Sequence, residues 1–152
     1  MIRTAERLIR MKGASNQFDF ALHAKAVLPA CDASLLAASH AGLHVLANDA
    51  RVVTERLAQA RRAYGDRVRI SATRQTRAPA IDGRIGVQVR DVAAVRRALE
   101  QRSIHPSEEY TGVHYCVLRF QAPFTGLLGV PGELAALTHG TATHVFLLGR
   151  PR

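Results

Sequence analysis

The chain has 152 residues and a mass of 16.6 kDa, which bounds it to one compact domain or two small ones sharing an interface. Hydrophobic residues are 47% and charged residues 22%, which excludes a disordered chain, and 5% aromatics without Trp leave an aliphatic, Ala-rich core. The formal charge is +9 with a pI near 10.9; no apolar run is long enough to span a membrane, and two cysteines, Cys31 and Cys116, exclude a disulfide framework or a four-thiolate zinc site.

Residues 1–17 read as a loosely held leader, partly disordered. Ile2, Leu8 and Ile9 could line one side of a turn or two, and Gly13 to Gln17 interrupts them. Arg3, Arg7 and Arg10 in the absence of an apolar run argue against a secretory signal there. Residues 18–28 alternate, with Phe18, Phe20, Leu22, Ala24 and Ala26 on one face, so a half-buried strand is predicted, ended by Pro29. Asp32 is a candidate cap for a helix running to about His40. Gly42 stops it, and Leu43 to Ala47 is a short strand. Asn48-Asp49 is a turn and cap for a helix from Ala50 to Tyr64 with Val53, Leu57, Ala60 and Tyr64 on its inner stripe. Gly65 closes that helix, and Val68, Ile70 and Ala72 alternate as a strand. The first half, 18–74, thus reads as a small β-α-β-α-β unit.

Residues 74–84 hold few apolar anchors and are predicted to link two units. Beyond them Ile85, Val87 and Val89 form a strand, and Asp91 caps a helix with Val92, Val95 and Leu99 inside. The segment 104–122 reads as a hairpin turning at Thr111-Gly112 and ending at Pro123. Pro131 opens a helix that Gly140 ends, and Thr141 to Leu148 is the last strand. The fold class is therefore α+β: a ferredoxin-like β-α-β-β-α-β sandwich at 80–150, preceded by the smaller unit.

Charge is unevenly placed. Residues 1–78 carry 13 basic and 6 acidic side chains, whereas 79–152 carry 8 and 6. Within 51–77 eight arginines face Glu55 and Asp66, a field that draws polyanions by counterion release. A solvated face in an arginine-rich chain is the competing reading.

The run Cys116 to Pro123, then Leu127-Leu128-Gly129, Glu133-Leu134 and Leu137-Thr138-His139-Gly140-Thr141-Ala142 resembles the C-terminal (fifth) domain of translation elongation factor G. Upstream, Leu43-His44, Val53, Glu55-Arg56-Leu57, Arg62-Ala63-Tyr64-Gly65 and Val68 are a weaker echo of that family's third domain. The resemblance implies a ferredoxin-like fold and association with the ribosome or RNA. There are departures. The sequence has no Gly-x-x-x-x-Gly-Lys-Ser/Thr phosphate loop, so no GTPase is expected. The domain that separates those two in the family is replaced by 74–84. Ala135 and Thr141 stand where the family commonly has basic residues.

Catalytic constellations are not found. Cys31 and His40 would stand about 13 Å apart along one helix. Glu108 and Glu109 are adjacent on a strand and face opposite ways. His114 and Cys116 share a strand face, but His139 and His144 converge with them only if the third and fourth strands pair, so no metal site is expected. Gly126, Gly129 and Gly132 read as turns rather than a phosphate loop. The expectation is a non-enzymatic, cytoplasmic accessory protein without a cofactor or a membrane partner. It associates with ribosome or RNA through Arg56, Arg61, Arg62, Arg67 and Arg69. The alternative is a ferredoxin-like module that binds a protein or a second copy of itself through open sheet edges.

Overall fold

The computed structural model describes residues 4–73 and 80–148. Arg3, Arg74 and Arg77 fall outside them. Eight strands form a single mixed sheet. The first half runs β1 (Ala5–Met11), α1 (Gln17–Val27), β2 (Ser34–Ser39), β3 (Gly42–Ala47), α2 (Ala50–Tyr64) and β4 (Val68–Ala72). The second runs β5 (Ala80–Gln88), α3 (Val92–Gln101), β6 (Glu108–Thr111), β7 (Tyr115–Pro123), α4 (Phe124–Leu127), α5 (Val130–Thr138) and β8 (Thr143–Leu148). The strand order is β4-β1-β3-β2-β8-β5-β7-β6. In each half the strand that comes first in sequence pairs with those that come third and fourth, and the second lies outside the third. All pairings are antiparallel except the seam, where β2 and β8 meet in parallel at Ala38 and Leu147.

The first half departs from the sequence reading at three places. Residues 5–11 are not a leader but a central strand, bonded to β3 on one side and β4 on the other, with Ile9 fully buried. Its alternation is hidden because Glu6 and Ile9 are buried on opposite faces. Residues 17–27 are a helix. Asn16 caps it by accepting the Asp19 N–H, and Phe20, Ala21, Ala24 and Leu28 bury at helical spacing. The alternating Phe18, Leu22 and Ala26 are left half-buried or exposed. Residues 34–39 are a strand, although Leu and Ala favour helices. A two-residue turn, His40-Ala41, joins β2 to β3. Gly42 there has φ +141°, and a Cβ would stand 2.4 Å from the Ile9 carbonyl oxygen. The half is thus β-α-β-β-α-β rather than β-α-β-α-β.

Of the linker expected at 74–84, residues 74–79 lie outside the described residues and 80–84 are strand. β5 begins at Ala80, Ile81 is fully buried, and Asp82, Gly83 and Arg84 pair with both β7 and β8.

Two cores lie on opposite faces of the sheet. Phe20, Ala21 and Ala24 of α1 and Val53, Ala60 and Tyr64 of α2 cover Ile9, Leu43, Val45, Ala47 and Val68. The Phe20 and Tyr64 rings meet edge to face at 5.3 Å. Val95 and Leu99 of α3, Phe124 and Leu127 of α4, and Val130 and Leu134 of α5 cover Ile81, Ile85, Cys116, Leu118, Phe120 and Phe146. This second core also takes in Leu35, Ala37 and Leu46 of the first half, so β2 and β3 are buried on both faces. Arg102, after α3, donates to Glu133 and to the Gly126 and Leu128 carbonyls, fixing the approach to α5. Where the β2–β8 pairing stops, Lys25 of α1 donates to the His144 carbonyl. Burial lowers the Lys25 pKa to about 8.

Candidate nucleic-acid interface

The arginines expected to meet RNA do not form one set. Arg61 and Arg62 are exposed in the last turn of α2, where cations also complement the helix dipole. Arg69 is exposed on β4, an edge strand. Arg67 is exposed but tethered: its Nε donates to the Tyr64 carbonyl and its guanidinium lies 5.9 Å from the Tyr64 ring centroid.

Arg56 is a correction. It is 3% exposed, on the inner stripe with Val53, Ala60 and Tyr64. Its Nη1 donates to the Pro29 carbonyl at 2.5 Å and to Gln59 at 2.8 Å. Burial draws its pKa below the ordinary arginine value, and its Nε has no partner in the described structure. Such a side chain cannot reach a phosphate; it joins α2 to the segment after α1.

Two cations the sequence reading assigned to a leader lie beside Arg67 and Arg69 instead, where Arg10 and Arg69, alternating with Ile9 and Val68, face away from α2 and its Arg61 and Arg62. Arg10 sits directly opposite Arg69 in the β1–β4 ladder. The Lys12 N–H bonds the Arg67 carbonyl at 2.7 Å, which brings Lys12 to the same end of the sheet. Arg10, Lys12, Arg61, Arg62 and Arg69 have no ion-pair partner among the described residues. Directly opposed like charges on a sheet repel, so the Arg10–Arg69 pair favours an anion between them. The signal that would have found Arg10 and Lys12 is the register of β1, not composition.

Elsewhere several basic groups are paired. Arg96 bonds Glu109, Arg102 bonds Glu133, and Arg119 bonds Asp82 at 3.3 Å with Glu108 at 3.6 Å. Glu108 and Glu109 point to opposite faces, as expected of neighbours on a strand.

The histidines do not converge. His114 lies in the turn before β7, so it does not share a strand face with Cys116. Cys116 is buried beside Thr111 and Glu109, and desolvation raises its thiol pKa. His139 ends α5 in the left-handed region. His144 packs 5.0 Å from the Phe146 ring, and burial, then Lys25, lowers its pKa to about 4. Among the described residues no three His, Cys, Asp or Glu side chains cluster as metal ligands.

One polar array was missed by the sequence reading. Glu6 Oε1 lies 3.1 Å from His44 Nδ1, and His44 Nε2 lies 2.7 Å from Ser39 Oγ. A carboxylate only accepts, so Nδ1 carries a proton, and with the imidazole neutral Nε2 accepts the Ser39 hydroxyl. The order is that of a nucleophile, a base and an orienting acid. Here Ser39 Oγ also accepts the Ala41 N–H at 3.1 Å, while Glu6 and His44 are 6% and 5% exposed. The array pins the β2–β3 turn to β1. Because Glu6 lies 38 residues from His44, only the strand register reveals the array.

No family model matches the sequence, and no curated protein matches it at a significant level.

Proposed function

We propose that the chain is a non-enzymatic RNA- or ribosome-associated protein that docks through the basic edge formed by β4, the end of β1 and the end of α2. The carrying observation is that Arg10 and Arg69 stand opposite each other on β1 and β4, Lys12 lies at the same end of the sheet, and Arg61 and Arg62 are exposed in the last turn of α2, all without carboxylate partners among the described residues. The β-α-β-β-α-β order in both halves supports the ferredoxin-like reading of 80–150 and extends it to the first half. That agrees with the resemblance to the third and fifth domains of elongation factor G. Nothing in the sequence supplies the GTPase of that family, so the role is accessory.

Co-sedimentation with ribosomes, and binding to a structured RNA across a salt series, tests this. Five phosphate contacts predict a log–log salt slope of roughly −3.5 to −4.5. Changing Arg10, Arg61, Arg62 and Arg69 together to Gln should flatten the slope and weaken binding. A salt-independent affinity, or one unchanged by the quadruple variant, rejects the reading.

A protein-interaction module is the second reading, favoured by the tip of the β6–β7 hairpin. Val113 is 86% exposed and Val89 40%, beside the free edge of β6. Sedimentation velocity over a concentration range separates it: a tight dimer without RNA affinity supports the module.

A further inference from the structure

Gly83 and Gly86 of β5 lie on opposite faces of the sheet, and each is covered by a ring from β7. Phe120 covers Gly83 inside the second core. Tyr115 covers Gly86 on the face that α3 and α5 leave open. A Cβ at Gly86 would stand 3.0 Å from Tyr115 Cε1 and 2.7 Å from Thr143 Oγ1. The Tyr115 ring therefore lies across β5, and its hydroxyl donates to the Thr141 carbonyl at 3.1 Å. Unlike Phe120, which is fully buried, Tyr115 stays 40% exposed.

Tyr110 of β6 shares this face. It pairs with Val117, two residues along β7 from Tyr115, and is 61% exposed with its hydroxyl donating to Glu108 at 2.7 Å. Adjacent on the face are Gln88, opposite Tyr115, and Arg84, opposite Arg119. Arg84 is exposed and has no ion-pair partner among the described residues.

We propose that this face binds single-stranded nucleic acid by stacking bases on Tyr115 and Tyr110. A ring already tied at its hydroxyl has little rotamer freedom left to lose when a base lands on it. Every base has a π-face, so the recognition is sequence-tolerant. Arg84 and Gln88 supply a cation and an amide at the margin. The local charges nearly cancel, since Asp82 and Glu108 hold Arg119. Affinity here is therefore carried by stacking and varies little with salt. The site does not rest on the basic edge: β7 is six strands from β4 in the sheet order, roughly 30 Å at the usual strand spacing.

The chain has no Trp, so its intrinsic emission comes from Tyr64, Tyr110 and Tyr115, and Tyr64 is buried. The test titrates the full chain, with Arg10, Arg61, Arg62 and Arg69 changed to Gln to silence the basic edge. The probes are a 12-nucleotide oligouridylate, its deoxy counterpart and an abasic strand of equal charge. Base-bearing strands should quench tyrosine emission saturably with a salt slope shallower than about −2, and the abasic strand should not. Unequal affinity for the first two strands assigns the preferred sugar. Tyr110→Leu, whose ring is mostly in solvent, and Tyr115→Leu should each weaken binding about tenfold. Gly86→Ala, which lifts the Tyr115 ring, should do the same. The proposal is overturned by equal quenching from the abasic strand, by no quenching from any strand, or by unchanged affinity in Tyr110→Leu. Loss of binding in the edge-silenced chain alone also overturns it, and leaves the basic-edge reading standing.

Discussion

Gly83→Ala probes the packing that holds the second half together. The new Cβ would stand 2.3 Å from Phe120 Cζ, 2.4 Å from Cε2 and 3.0 Å from Cε1. Carbon contacts normally settle near 3.5–4.0 Å, so the ring must retreat by about 1 Å or more. It has no free space to enter, since Phe120 is fully buried among Ile81, Ile85, Leu118 and Phe146. Gly83 and Phe120 are direct cross-strand partners, an aromatic covering a glycine. Replacing a strand glycine by alanine should gain about 0.5–1 kcal/mol through the backbone. Overpacking a tight core costs about 1–3 kcal/mol. The clash wins, and a net loss of about 1–2 kcal/mol is expected, or a fall in Tm of roughly 3–6 °C at this chain length. Urea unfolding followed by far-UV circular dichroism measures it, with an unchanged m-value showing that the folded state is retained. The cause is isolated by repeating the change in Phe120→Leu, where the shorter side chain leaves room. There Gly83→Ala should be neutral or stabilising, a coupling of about 1–2 kcal/mol. A Gly83→Ala variant as stable as the parent, or a double-mutant cycle with no coupling, refutes the reasoning.

Arg56→Met should leave stability within about 1 kcal/mol, because the lost hydrogen bonds are offset by relief of a buried charge, whereas Arg56→Ala should cost about 3 kcal/mol through the cavity as well. Neither should change RNA affinity, in contrast to Arg61→Gln with Arg62→Gln; weakened RNA binding in a folded Arg56→Met chain would return that residue to the interface. His144 binds its proton less readily in the folded state, with a pKa near 4 against 6.5. Its contribution is therefore complete above pH 6.5 and is lost as pH falls towards 4, by at most about 3 kcal/mol. A urea series across that window should show the slope, and His144→Leu should reduce it. In the Glu6–His44–Ser39 array, His44→Ala leaves a buried carboxylate without its partner and should cost about 3 kcal/mol. Ser39→Ala should cost about 1 kcal/mol, and equal effects at the two positions would show that the array is not ordered as described.

The elements legible in the sequence were those with their own punctuation. Asp49 and Gly65 bound α2, with the Asp49 side chain accepting the Arg51 N–H at 2.8 Å. Pro131 and Gly140 bracket α5, and the turn at Gly112 joins β6 to β7. What was illegible depends on contacts far along the chain. The stretch Ser34 to Ala47 shows no clean alternation because β2 and β3 are covered on both faces, by one half's helices and by the other half's core. Read alone, Leu35, Leu36, Ala37 and Ala38 have the composition of a helix, and tertiary burial overrides it. Gly83 looked like a linker residue because the ring that covers it lies 37 positions later.

The candidate interface was legible in composition but not in membership. Arg56 belongs to the inner stripe because it falls three residues after Val53 and four before Ala60, a position that helical spacing makes buried whatever its charge. Arg10 and Lys12 enter only once β1 is seen to pair with β4. The net charge of +9 therefore separates by the state of each cation rather than by its number. Arg96, Arg102 and Arg119 hold elements together through carboxylates. At the opposite edge of the sheet Arg10, Lys12, Arg61, Arg62 and Arg69 have no such partner among the described residues. Paired cations have already given up most of their field, so under the proposed function the β4 edge contributes the larger share of any long-range attraction for a polyanion. The aromatic face at β5 to β7, where charges cancel, can act only at contact.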